Sequence, residues 1–158
     1  KEQGQLMTVI RGACTERYKV DAELLSWNEV MRLHEHSLIT IGAHTVNHPA
    51  LRQQSESELR NELLDSKHHL ERKLGGPINH LAFPFGRREH ATEREFEVAS
   101  ELGYRSAFTT KSGQIDLGHS QQLNSLPRIA VDFFDTLPTF RWKLSGLSSV
   151  VAREEALS

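Results

Sequence analysis

Apolar and polar positions along this chain follow two periods in turn, one suited to strands and one to helices. Gln5 to Gly12 (QLMTVIRG) is a short apolar, β-branched run closed by glycine, which reads as a buried strand. After a polar loop, Ser26-Trp27-Asn28-Glu29 has the form of a capping box, and Trp27, Val30, Met31 and Leu33 supply the apolar side of the helix it opens. Leu38 to Ala43 is a second apolar run, expected to be a buried strand. Ser55 and Glu58 open the most strongly patterned helix, with Leu59, Leu63, Leu70 and Leu74 on one face and Gly75-Gly76-Pro77 at its end. His80 to Phe83 reads as a third strand. Thr92 and Glu95 cap a third helix carrying Phe96, Ala99 and Leu102, which Gly103 ends before a fourth strand at Tyr104 to Thr109. Leu126 to Val131 is a fifth strand with Pro127 near its start, and an amphipathic stretch around Phe140, Trp142, Leu144 and Leu147 is expected to form a terminal helix.

Strands alternating with amphipathic helices, without an internal repeat, predict an α/β fold with a parallel sheet, either open or part of a barrel. The length of 158 residues suits one domain, with a core over residues 5–131 and a C-terminal helical extension over 133–158. A net charge of −2 points to neither nucleic acid nor an anionic membrane as a partner, and no apolar run is long enough for a membrane span. Oligomeric state leaves no mark in the sequence. The chain starts at Lys1 without a methionine and is expected to be part of a longer product. Cys14 is the single cysteine, so an internal disulfide or Cys-rich zinc knuckle is excluded; with no activating base nearby it reads as a small buried or loop residue.

The chemistry concentrates at His44-Thr45-Val46-Asn47-His48-Pro49, just beyond the second apolar run. Neutral imidazole is the commonest protein ligand for zinc, and a pair four residues apart can face one ion from a tight loop. A position after the C-terminal end of a strand is where α/β folds gather catalytic groups. His68 and His69 lie inside the long helix, point about 100° apart, and read as surface residues.

Three stretches in order, Thr40 to Pro49 (TIGAHTVNHP), Leu81 to Gly86 (LAFPFG) and Leu126 to Ile129 (LPRI), resemble the polysaccharide deacetylases of the NodB-homology type, carbohydrate esterase family 4. The resemblance implies a distorted (β/α) barrel of NodB type, here lacking its first strand, and metal-dependent deacetylation of an N-acetylated or O-acetylated polysaccharide. It implies a divalent metal, usually zinc, held by one Asp together with His44 and His48. By the same resemblance Thr45 supports the ligands, and the backbone N–H of Phe85 stabilises the tetrahedral oxyanion, for which Phe serves as well as Tyr. Pro84 and Gly86 shape that turn. Arg128 is assigned to orienting the catalytic Asp, because the motif Arg that does so in many relatives would fall at Ala82. A cell-envelope or exopolysaccharide setting is the family default.

The family's Thr-Phe-Asp-Asp motif, which supplies the general base and the carboxylate ligand, is absent, and Asp21, Asp65, Asp116, Asp132 and Asp135 stand in other contexts. No Leu-x-His motif follows, and His119 is the only late histidine. The chain alone is therefore expected to bind zinc weakly and to be impaired in catalysis. Two rival readings stand beside this one. The first is a non-catalytic module gripping glycan with Phe85, Trp27 or Trp142, and the second an unrelated α/β domain whose histidines are structural.

Overall fold

The structure, a computed structural model, describes residues 24–87 and 89–146. The strand expected at Gln5 to Gly12, Cys14, Asp21 and Leu147 lie outside the described residues. Helix α1 (Trp27–His34) starts at the predicted box: Glu29 reaches back to the Ser26 N–H at 2.8 Å. Helix α2 (Glu56–Leu74) starts the same way, with Ser55 N–H to Glu58 at 2.9 Å, and stops at Gly75, whose φ of 72° is the left-handed cap that glycine adopts at no steric cost. Helix α3 (Glu93–Glu101) follows Thr92, whose N–H donates to Glu95 at 2.7 Å. Helix α4 (Leu137–Leu144) has its capping pair at Thr136 and Thr139.

Strands β1 (His80–Ala82), β2 (Ser106–Ser112) and β3 (Leu126–Arg128) form an open sheet in the order β1-β2-β3, both pairings parallel. Leu81 lies opposite Ala107 in the first pairing, and the register shifts between Phe108 and Ser112 in the second. Parallel strands alternating with helices are the architecture expected from the pattern, in the manner of a distorted (β/α) barrel of NodB type.

Several strand boundaries differ from expectation, β1 ending at Ala82 rather than Phe83. Leu38 to Ala43 is not a continuous buried strand: only Ala43 bridges β1, at Leu81, and Leu38 is 87% exposed. Ala43 N–H donates to His80 O at 2.8 Å and Ala82 N–H to Ala43 O at 2.9 Å, whereas the chain before it turns at His36. The apolar run thus meets a described neighbour at one residue, which is too little for a ladder. Tyr104 lies outside β2, because its N–H donates to Ala99 O of α3 at 3.1 Å; its ring is buried and its hydroxyl donates to Leu63 O at 2.9 Å. β2 instead runs on through polar Thr110, Lys111 and Ser112, where β3 supplies a partner for Ser112. β3 ends at Arg128, and Val131 is exposed.

The core lies between the sheet and the helices. Leu59 and Leu63 of α2, Val98 and Ala99 of α3, and Leu81, Phe83 and Ala107 from the sheet side are buried together, with Phe83 and Phe96 rings 5.4 Å apart. At about 25 cal/mol per Å² of apolar area removed from water, such a cluster is the main term holding α2 and α3 to the sheet. Arg94 adds a polar tie across it: its guanidinium reaches Leu51 O at 3.0 Å, Gln54 O at 3.2 Å and the buried Glu95 carboxylate at 2.6 Å.

Candidate metal centre

Two loops leave the same edge of the domain. The first, 44–48, follows the Ala43 bridge, and the second, 83–87, follows β1. Because Ala43 is stitched to β1 through both His80 and Ala82, the two loops start side by side. The Nδ1 of His44 lies 2.6 Å from Ala82 O. A carbonyl only accepts, so Nδ1 carries the proton and Nε2 of the neutral ring keeps its lone pair for another partner. Metal-ligating histidines are commonly oriented by this kind of bond.

His48 comes back against His44, ring centroids 4.8 Å apart, and its other side meets Phe85 at 4.8 Å; both contacts are edge-on. Phe85 in turn lies 5.1 Å from His90. Four rings therefore stand in succession, three from the two loops and His90 from just beyond the second. The backbone that produces this arrangement is unusual: Thr45 (φ 66°), His48 (φ 55°) and Phe85 (φ 58°) are the non-glycine residues with positive φ among those described. Left-handed backbone costs energy for residues with a Cβ and persists only where the surroundings hold it. Thr45 helps, since its Oγ1 accepts the His48 N–H at 3.1 Å.

The second loop is shaped by Pro84 and Gly86. Gly86 N–H closes on Pro84 O at 2.6 Å, Thr110 N–H donates to Gly86 O at 2.9 Å, and the Thr110 hydroxyl donates to Phe85 O at 2.7 Å. The Phe85 ring is half exposed, and among the described residues no protein acceptor takes its N–H. The turn borders a polar cleft of about 570 Å³ lined by Arg52, Gly86, Thr92, Phe96, Lys111 and Ser125 among others.

His44, Thr45, His48, Pro84, Phe85 and Gly86 are thus brought together. Arg128 is on β3, separated from β1 by β2, and its Nε donates to Thr109 O at 2.6 Å. His119 sits in a separate turn with its Nδ1 2.9 Å from Asp116; that hydrogen bond is the main reason the Asp116 carboxyl is held below its ordinary range. His68 and His69 are exposed on α2, with His69 5.4 Å from Trp27. Two contributors escaped sequence reasoning. His90 carries a buried Nδ1 without a partner among the described residues and flanks Phe85. Glu62 of α2 accepts from Val46 N–H at 2.9 Å, Asn47 N–H at 3.0 Å and the Asn47 side chain at 2.6 Å. Burial works to raise the Glu62 pKa, but these three hydrogen bonds outweigh it and leave the carboxyl below its ordinary value. Neither residue lies in a periodic pattern; the sole cue is a carboxylate beside buried Leu63 on the helix following the histidine loop.

Two imidazoles lie in edge contact and the tautomer of one is fixed, a donor pair of the type that holds a divalent metal. Among the described residues no group of three His, Cys, Asp or Glu side chains is gathered.

The domain thus combines a parallel α/β sheet with a two-histidine loop after the Ala43 bridge and a Pro-Phe-Gly turn after β1, side by side. The profile of one family, polysaccharide deacetylase, matches residues 7–107, and the chain belongs to that family. Solved structures agree. The Streptococcus pyogenes deacetylase PplD in complex with acetate is 28% identical, with 72% of this chain and 47% of that one covered and a TM-score of 0.62. A polysaccharide deacetylase from Bacillus cereus is 27% identical, covering 78% of this chain and 38% of its own, at a TM-score of 0.67. The BpsB deacetylase domain from Bordetella bronchiseptica, 20% identical with 69% and 50% covered and a TM-score of 0.59, shares the fold. The chain spans half or less of each of these relatives. No curated protein matches it.

Proposed function

We propose that this chain carries the two-histidine side of a metal-dependent deacetylase centre acting on an N-acetylated or O-acetylated polysaccharide of the cell envelope or an exopolysaccharide. The observation that carries the reading is the His44 Nδ1 to Ala82 O bond, which leaves Nε2 available beside His48 and next to the Phe85 turn. His44 and His48 would hold the ion, most simply zinc. When bound, zinc polarises the acetyl carbonyl and acidifies water. Phe85 donates its backbone N–H to the developing oxyanion, and Pro84, Gly86 and the Thr110 bonds keep that donor aimed. Thr45 maintains the fold of the ligand loop. The polar cleft beside Gly86 receives a neighbouring sugar unit. Arg128 orients the carboxylate that completes the centre. Two neutral imidazoles alone leave the charge of a dication unopposed, so residues 1–158 by themselves bind zinc weakly and turn over little.

The test is hydrolysis of an N-acetylglucosamine oligomer by the natural full-length protein, with and without chelator. His44→Ala and His48→Ala are each expected to lower kcat/KM by more than about 100-fold, the upper range for losing an outer-shell partner of a metal. Phe85→Tyr keeps the backbone donor and is expected to retain the rate. Glycan binding that persists without metal and survives His44→Ala, with no hydrolysis, would replace this reading with a binding module.

A further inference from the structure

We infer that Glu62 is the positioning residue that sets the metal affinity of the histidine loop, an inference that rests on the metal-centre reading above. The loop needs such a device. Thr45 and His48 both adopt left-handed backbone, which is costly above all for the β-branched Thr45. Val46, Asn47 and His48 are exposed, so burial holds them little, and His48 adds only its edge contacts with the His44 and Phe85 rings. Among the described residues, the side-chain hydrogen bonds that tie residues 44–48 to the rest of the domain are one from His44 to Ala82 and three that end on Glu62.

A carboxylate suits this task. It only accepts, and here both oxygens are engaged, one by two successive backbone N–H groups and the other by the Asn47 amide. Hydrogen bonds to an ionised acceptor are stronger than neutral ones. The carboxylate is itself anchored, because the neighbouring Leu63 and Leu59, one turn back, are fully buried. Its oxygens are already committed to the loop, so Glu62 acts through His48 and His44 rather than as a third ligand. Among the described residues it joins no three-donor cluster.

The experiment is competition for zinc against a chromophoric chelator, using the natural full-length protein and zinc alone as the probe. Glu62→Gln replaces an acceptor oxygen with an N–H₂ facing other donors; zinc should bind about 10- to 100-fold more weakly, the usual consequence of losing an outer-shell partner. Asn47→Ala, which removes one arm and leaves the helix untouched, should weaken zinc less than Glu62→Gln does. Asp65→Asn, which removes the same charge from the same helix, should leave affinity unchanged. In metal-free protein, amide exchange at Val46 and Asn47 should accelerate in Glu62→Gln with the helical circular dichroism unchanged. If zinc binding depends on His48 but Glu62→Gln and Asn47→Ala both bind as tightly as the unmodified protein, the positioning role is overturned and the metal centre stands. If the unmodified protein binds zinc no better than His48→Ala, the metal centre falls and the inference with it.

Discussion

Gly86 is a residue where backbone leaves no space for a side chain. A Cβ there would stand 2.6 Å from the Thr110 nitrogen and 3.0 Å from Thr110 Cγ2, at a φ of +60°. Gly86→Ala must therefore strain its own backbone, by about 1–2 kcal/mol for the left-handed region, and also push β2 away. We expect a loss of at least about 2 kcal/mol in urea unfolding at unchanged slope, and a loss below about 0.5 kcal/mol would contradict the contact. The Pro84-Phe85-Gly86 turn and the His44 and His48 pair were legible in the sequence because proline, glycine and paired histidines are marked residue types. Glu62, 14 residues beyond His48, was not legible: a carboxylate gripping backbone N–H groups of a distant loop looks like any helix-surface glutamate until the chain is folded.

The helices follow the same logic one level up. Their starts could be read because a capping box is a local code of two residues at fixed spacing, and Ser26 with Glu29 and Ser55 with Glu58 both close as expected. The strands were less legible, since a strand needs a neighbour that sequence does not name. Leu38 to Ala43 has the right residues but meets β1 only at Ala43, and polar Lys111 and Ser112 belong to β2 because β3 lies beside them. The caps make a pH prediction. The Ser26 hydroxyl lowers the pKa of Glu29 and the Ser55 hydroxyl that of Glu58, with the cap N–H groups adding to the effect. A carboxylate depressed in the folded state stabilises above its ordinary pKa and loses that contribution as pH falls through its folded value. Helical circular dichroism should thus hold from neutral pH down to about 4.3, the unperturbed Glu value, and decline below it. Glu58→Gln, which keeps the box without a charge, should reduce that decline; an unchanged acid profile would remove Glu58 from its cause.

At the scale of the whole domain, the sheet has only three described strands, so ties between helices and loops matter as much as the ladder. Charged contacts divide into two kinds. Arg60 pairs with Glu56 at 2.9 Å and with Glu101, but all three side chains are well exposed, and solvent screening leaves such pairs little net effect. Arg94 is different. Its partner Glu95 has no exposed surface, and the same guanidinium also holds Leu51 O and Gln54 O in the segment that follows the histidine loop. Arg94→Ala would leave the Glu95 carboxylate buried with only the Thr92 donors, and would release that segment from α3. Arg94 is itself 39% exposed, so only the Glu95 side of the pair is buried; a buried acceptor that loses a partner costs about 1–3 kcal/mol, and its charge places this case near 3. For a chain of this size that corresponds to a fall in Tm of roughly 6–12 °C. Arg94→Lys should recover only part of it, because an ammonium cannot reproduce the planar fork that reaches a carboxylate and two carbonyls together. Arg60→Ala, measured beside it, should leave the melting midpoint essentially in place. Equal shifts for the two alanine variants would mean that burial of Glu95 does not govern the tie, and that α3 is held to the histidine-loop side by apolar packing alone.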